Sequence, residues 1–248
     1  MSPKAPAGSA VFLGCVCIAT PQPTSWCATA VYASFVSKAG AGESRTDTVG
    51  HVVDRKTFDL MKQKHGAHAG WAVWSEPTAG PKSNVGDLDV LDPDRNPTLL
   101  QTLRNDVVML GLNLARETPP AGSLRNFHDR SSKGQDYKIR YAFSGTPYWG
   151  AYMTDLIKKI VELKSRNVMR EVRADPSLMP ENVQWLLEEF DDLQCASPIV
   201  IAFGIQAYRL AIRDIPSNRY TRLVGVRHYS DYISKEDYRA RVLAELGT

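Results

Sequence analysis

From about residue 54 onward, short apolar runs alternate with amphipathic segments along the chain. Four runs have the length and composition of buried strands, at 107–110, 151–153, 198–203 and 223–226. Apolar residues at three- and four-residue spacing predict helices at 55–64, 97–105, 156–165, 181–193, 206–213 and 235–246. Strands that alternate with helices are typical of a parallel sheet covered on both faces. We therefore predict an α/β fold, a three-layer αβα sandwich around a central four-stranded, mainly parallel sheet.

Polar or small residues follow each predicted strand. The first apolar run ends in Gly111-Leu112-Asn113, where we expect the strand to stop, and Asp155, Gly204 and His228 follow the other three. Right-handed crossovers place the carboxyl ends of parallel strands at one edge of the sheet. We therefore expect Asn113, Asp155, Gly204 and His228 to meet around one crevice.

Residues 1–50 differ in composition from the rest, being rich in Ala, Ser, Thr, Gly and Pro. We predict a poorly ordered N-terminal extension there and a single domain over 51–248. The apolar run at 11–19 resembles a secretory signal, but Thr20-Pro21-Gln22-Pro23 contains no convincing cleavage motif. No apolar run reaches the roughly 20 residues of a membrane helix. We therefore expect a cytoplasmic protein without a membrane partner.

Composition and the spacing of cysteines and histidines limit which partners, metals and cofactors we expect. The chain is 43% hydrophobic and 23% charged, as globular proteins are, and its net charge of +3 permits a local basic face without requiring one. Cys15, Cys17, Cys27 and Cys195 are poorly spaced for zinc or for an iron–sulfur cluster, which stays open as an alternative to free thiols. His65 and His68 lack further metal ligands nearby in the sequence. No metal or organic cofactor is expected.

Five motifs occur in an order that resembles the uracil-DNA glycosylase superfamily, across about 71–246. They are Gly111-Leu112-Asn113, then Phe127, Thr154-Asp155, Ile201-Ala202-Phe203-Gly204 and His228-Tyr229-Ser230. Two positions depart from the family pattern, because Leu114 and Tyr229 stand where proline is usual. The resemblance implies a monofunctional enzyme that binds DNA as a monomer. It would flip uracil or a related damaged base out of the strand and hydrolyse the N-glycosidic bond.

The resemblance also implies roles for single residues. Asn113 would position the hydrolytic water, and His228 would stabilise negative charge on the departing base. Phe127, Asp155 and Leu112 would bind the base, with Phe127 stacking on it and Asp155 reading its edge. Ser230, Tyr229, Arg125 and Arg130 would contact DNA. Tyr229, Tyr232 and Ile233 are candidates for a wedge that fills the gap left by the flipped base.

Each role has a plainer alternative. Phe127, Trp71 and Trp74 can be core residues, although one tryptophan also fits the stacking role, and Asp155 can cap a helix. His128 is an alternative to His228. A group of basic residues is expected to contact a phosphate backbone, and the alternative is a solvated surface without a partner. These residues are Arg116, Arg125, Arg130, Lys133, Lys138, Arg140, Arg222 and Arg227.

The preferred base stays open at this stage. The family usually has Asn at the position of Asp155, and Asn can donate and accept, whereas an ionised carboxylate only accepts. An ionised Asp155 would bind a base whose edge presents an N–H or amino group, whereas a protonated Asp155 could also donate to uracil.

Two other functions also fit the sequence. The same fold can bind damaged or abasic DNA without turnover, because an amide at position 113 activates water weakly. Action on a free nucleoside or nucleotide is a further alternative, although no glycine-rich phosphate loop is present.

Overall fold

The computed structural model describes residues 53–77, 85–115, 122–131 and 133–248. Contacts divide the chain into two units, Met1–Asp47 and Thr48–Thr248, and every described residue belongs to the second. The extension predicted at 1–50 lies outside the described residues, as do Arg116 and three of the four cysteines.

A five-stranded sheet forms the centre of the described domain, in the order β1-β3-β2-β4-β5. Its strands are β1 (Gly70–Trp71), β2 (Arg104–Leu114), β3 (Ala151–Val161), β4 (Ile199–Phe203) and β5 (Arg222–Val226). The last four strands are parallel to one another, whereas the two-residue β1 pairs antiparallel with β3 at the edge of the sheet. The predicted α/β class and mainly parallel sheet are confirmed, whereas the prediction of four strands omitted the short edge strand.

Seven α-helices accompany the sheet in the described part of the chain. They are α1 (Arg55–Lys64), α2 (Leu99–Thr102), α3 (Asp136–Phe143), α4 (Ser165–Ala174), α5 (Leu178–Asp192), α6 (Ile205–Asp214) and α7 (Lys235–Leu246), with 3₁₀ turns at Leu88–Leu91 and Ser217–Arg219. Asp54 caps α1 and Ser234 caps α7 with side-chain oxygens that accept backbone N–H groups. None of these helices is long and apolar enough to span a bilayer.

Two hydrophobic cores lie on opposite faces of the sheet because side chains alternate along each strand. On β2, Val108 and Leu110 pack with α1, α4, α5 and α6, whereas Val107 and Met109 pack with α3 and α7. The helices therefore cover both faces, in agreement with three layers.

The predicted helix at 156–165 is wrong. Residues 151–158 are all buried within β3, and the helix begins only at Ser165. A parallel strand covered on both faces shows no two-residue alternation, so its run of apolar residues was taken for a helix face. β2 likewise continues through Gly111 to Leu114 instead of stopping at the glycine. The predicted helix at 97–105 shrinks to the four residues of α2.

Candidate functional site

A cavity opens at the carboxyl ends of β2 and β4. The helix after β2, α3, packs on one face of the sheet, and the helix after β4, α6, packs on the other. Chain connections that leave adjacent strands toward opposite faces create the switch point at which α/β sheets bind ligands. The cavity, called the crevice below, measures about 1100 Å³. Asn113, Asp155, Gly204 and His228 all line it, as the parallel topology predicted.

Asn126 connects two of the predicted site residues at the floor of the crevice. Its Nδ2 donates to Asp155 Oδ2 over 2.7 Å and to the His68 carbonyl over 2.7 Å. Its Oδ1 accepts the Phe127 N–H over 3.0 Å. Asn126 is 4% exposed and Asp155 is 3% exposed, so the pair is fixed inside the protein. Asn126 was not among the predicted site residues, although it lies directly before Phe127 in the sequence.

Gly111 brings the carboxylate of Asp155 against the strand beside it. The two residues are register partners on β2 and β3. A Cβ on Gly111 would stand 2.1 Å from Asp155 Oδ1 and 3.0 Å from Phe127 Cζ. Glycine is therefore required here for a close approach, and a helix-capping role for Asp155 is wrong because this residue lies within β3.

Phe127 has a left-handed backbone, with φ of 64°. This conformation is unusual for a bulky residue, and the hydrogen bond from its N–H to the Asn126 side chain stabilises it. The ring lies 6.3 Å from Phe203 and 6.4 Å from Tyr229 between centroids. These three rings, of Phe127, Phe203 and Tyr229, form the aromatic floor of the crevice. Phe127 is only 3% exposed, so it also belongs to the core.

His228 lies against Gly204, the residue before α6. A Cβ on Gly204 would contact the imidazole Cδ2 at 3.2 Å, and the ring stacks on Tyr229 with centroids 4.5 Å apart. Its Nδ1 accepts the Ser230 N–H over 3.1 Å and lies 2.8 Å from Ser230 Oγ. Burial lowers the pKa of His228, which favours the neutral ring. Because Nδ1 accepts, the proton of the neutral ring is on Nε2.

Asn113 also lines the crevice, but its amide group already has partners. Nδ2 donates to the Glu162 carbonyl over 2.9 Å and lies 3.3 Å from the Ile160 carbonyl. Those bonds join the end of β2 to the end of β3. The neighbouring Leu112 is 8% exposed and lines the crevice while packing into the core.

Of the predicted DNA contacts, Tyr229 and Ser230 line the crevice, whereas Arg125 and Arg130 are not among its lining residues. Ser230 is exposed, and Tyr229 is partly covered by the rings of Phe127 and Phe203. Tyr232 is fully exposed beyond this loop, and Ile233 packs against the core. Of the two wedge candidates that follow Ser230, only Tyr232 projects into solvent.

Four of the eight basic residues proposed for a phosphate contact have partners within the domain. Lys138, 4% exposed, donates to the Asp231 carbonyl over 2.8 Å. Arg140 and Arg222 donate to the carbonyls of Ser75 and Leu246, and Arg227 pairs with Asp231. The lining itself carries more carboxylates, Asp129, Asp136, Asp155, Asp231 and Glu245, than cations, Lys133, Arg227 and Arg241. The interior of the crevice therefore favours an uncharged ligand over a phosphate.

His128 is not among the residues that line the crevice, although its neighbours Phe127 and Asp129 are, so His228 is the histidine that a ligand would meet. His128 is 3% exposed, and its two ring nitrogens lie 2.9 and 3.0 Å from the carbonyl oxygens of Asn126 and Val73. Trp74 stacks on it at 5.0 Å. Trp71 and Trp74 are 0% and 4% exposed, so the plainer prediction of core residues fits both tryptophans.

Within the described part of the chain, no three His, Cys, Asp or Glu side chains are grouped as metal ligands. The one described cysteine, Cys195, is half-buried and free, and burial raises the pKa of its thiol.

Comparison of the chain with protein-family models, with curated proteins and with solved structures finds no match. The resemblance to the uracil-DNA glycosylase superfamily therefore rests on the motif residues alone.

Proposed function

We propose that this protein is a monofunctional DNA glycosylase with a uracil-DNA glycosylase-like fold. It would bind a base flipped out of DNA and hydrolyse its N-glycosidic bond. One observation carries the proposal: Phe127, Asp155 and His228, which are distant in sequence, line a single crevice at the switch point of the sheet.

The reaction needs few groups. Cleavage of the N-glycosidic bond places negative charge on the departing base, and a neutral His228 with its proton on Nε2 offers a hydrogen-bond donor to that charge. The aromatic floor and the carboxylate of Asp155 hold the base. Unpairing and unstacking a base cost a few kcal/mol, which contacts of this kind offset.

The DNA backbone would lie outside the crevice, because the lining is rich in carboxylates. Arg130 is exposed and follows the lining residue Asp129 in the chain, and Lys133 lines the crevice, so these two basic residues are the candidates for phosphate contacts. Such contacts would act on all sequences alike and depend on salt.

The test is excision from oligonucleotides that carry uracil, thymine mismatches, hypoxanthine, 8-oxoguanine or etheno bases, followed by alkaline cleavage of abasic sites. Wild type should release at least one base, and His228→Ala should slow release by about 100-fold, as loss of a transition-state donor does. His65→Ala is the matched control, because it removes an imidazole that does not line the crevice. If no base is released from any of these oligonucleotides, the proposed glycosylase activity is refuted.

A second candidate is a protein of the same fold that binds damaged or abasic DNA without turnover. The amide of Asn113, which donates to the carbonyls of β3, favours it because a tethered amide has less freedom to position water. This candidate predicts tight binding to abasic DNA, no base release by wild type, and unchanged binding by Asn113→Ala.

A further inference from the structure

We propose that three arginines of α4, Arg166, Arg170 and Arg173, bind the phosphate backbone of the DNA whose base enters the crevice. These residues are called the arginine stripe below. The inference rests on the proposed function, since it names the surface on which the same site holds its substrate.

The arginine stripe occupies one side of α4. Its members stand four and three residues apart, so a helix of 3.6 residues per turn brings them into one row. Val168 and Val172 lie on the other side of the helix and are buried in the core. All three arginines are exposed. The stripe therefore faces solvent along most of the helix.

Ion pairs leave the charge of the stripe largely unopposed. Arg166 and Arg173 pair with no carboxylate of the described residues. Arg170 lies 3.7 Å from Glu171, and the two side chains are 68% and 54% exposed. Exposed pairs of this kind are weak and screened by salt, so they compete poorly with a polyanion.

Two other carboxylates close in sequence lie beyond the ends of α4. Glu162 accepts the Lys164 N–H over 2.8 Å, and Asp175 accepts the Ser177 N–H over 2.9 Å. Both carboxylates therefore bind local backbone groups, and neither forms an ion pair with the stripe.

α4 begins at the crevice. Its first residue, Ser165, and Leu163 just before it both line the cavity. From Arg166 the stripe leads away from that lining for about 10 Å, at 1.5 Å per residue. One strand of duplex DNA carries about three phosphates over that length. A strand that delivers a base to the crevice can therefore place phosphates beside all three arginines.

Charge and geometry together favour DNA as the partner of the stripe. The crevice itself is lined by more carboxylates than cations, which suits a base better than a phosphate. A guanidinium donates two parallel hydrogen bonds to a phosphate group. A helix that lies on a membrane needs an apolar face free to enter the lipid, whereas the apolar face of α4 is buried in the core.

The test is binding of undamaged DNA, which needs no turnover. Fluorescence anisotropy with a short labelled duplex compares wild type with Arg166→Gln/Arg170→Gln/Arg173→Gln between about 50 and about 200 mM KCl. Each phosphate contact contributes about 0.9 to the slope of log affinity against log salt, so the variant should lose about 2 to 3 from that slope. It should also bind at least about 10-fold more weakly at the lowest salt. An unchanged slope, or no binding by wild type, would overturn the inference.

A matched control removes the same charge elsewhere on the surface. Arg55, Arg95 and Arg213 each pair with a carboxylate. Replacing all three with Gln should change the slope by less than about 1, because these arginines contact no phosphate. A fall equal to that of the stripe variant would reduce the effect to net charge and refute the stripe.

A second variant separates charge from local structure. Arg166→Lys/Arg170→Lys/Arg173→Lys keeps three cations on α4 and should keep most of the slope. Loss of the slope in this variant would show that the substitutions disturb α4, and it would overturn the inference. Tighter binding of wild type to phosphatidylserine vesicles than to the duplex, lost in the Gln variant, would assign the stripe to a membrane surface instead.

The excision assay separates this inference from the proposed function. Stripe-dependent binding of DNA with no base released from any oligonucleotide would remove the enzyme and keep the surface. Base release by wild type, with the same KM for the oligonucleotide in the Gln variant, would keep the enzyme and refute the surface.

Discussion

Lys158 Nζ of β3 lies 3.3 Å from Glu189 Oε1 of α5, and both side chains are almost fully buried. The same ammonium donates to the backbone carbonyl of Asp155 over 2.8 Å. The ion pair therefore supports the peptide that carries the proposed base-reading residue. Burial raises the pKa of Glu189, while the charge of Lys158 opposes that rise.

Glu189→Ala should lower the free energy of unfolding by about 3–5 kcal/mol, because it leaves the Lys158 ammonium buried without its carboxylate. Urea denaturation followed by circular dichroism measures the change. The control is Glu181→Ala, which breaks the exposed pair with Lys159 and should cost less than about 1 kcal/mol. Equal losses from the two variants would contradict a special role for the buried pair.

Tyr152→Phe tests a buried hydroxyl. Tyr152 is 0% exposed, and within the described residues its oxygen makes no hydrogen bond of good geometry, although the Thr154 side chain is close enough to influence it. Removing an unpaired buried hydroxyl should raise the free energy of unfolding by about 1 kcal/mol. If the unfolding free energy of the variant depends on urea concentration as steeply as that of wild type, the shift in the urea midpoint gives the sign of the change in stability. A fall of about 1 kcal/mol would instead mean that a bound water satisfies the hydroxyl.

His228 should make stability depend on pH. Burial lowers the pKa of His228 in the folded state, so the unfolded chain takes up its proton first as the pH falls through about 6.5. The free energy of unfolding should therefore decrease from pH 7 toward pH 5. His68 has a pKa lowered by the same cause, so His228→Gln is needed to isolate the contribution of His228.

Unfolding at pH 5, 6 and 7 for wild type, His228→Gln and His68→Gln provides the measurement. Each variant should flatten part of the slope, and an identical slope in His228→Gln would show that the ring titrates alike in both states. An NMR titration of the ring protons gives the pKa directly.

Gly111→Ala should disturb the site more than its size suggests, because the new methyl group would overlap Asp155 Oδ1. We expect a loss of about 1–3 kcal/mol in the free energy of unfolding. The double variant Gly111→Ala/Asp155→Ala removes the clashing carboxylate, so the two changes should be strongly non-additive. Additive losses measured by urea denaturation would contradict the proposed contact.

The amphipathic spacing and apolar runs were enough to predict the α/β class, the parallel strands and the helices near 55–64, 181–193, 206–213 and 235–246. They predicted only the first three residues of β3 as a strand and the rest as a helix, because the residues of β3 are covered on both faces. They also failed at β1, because two residues are too few to show any period.

By itself, the sequence determined that Asn113, Asp155, Gly204 and His228 would share one edge of a sheet, since the handedness of crossovers leaves parallel strands no other arrangement. Only the tertiary structure decided that Asn126 orients Asp155 and that His228, not His128, lines the crevice. It also decided that Lys138 and Arg140 donate hydrogen bonds to backbone carbonyls of the domain. Those outcomes depend on side-chain directions and on contacts between residues far apart in the chain, which local pattern does not encode.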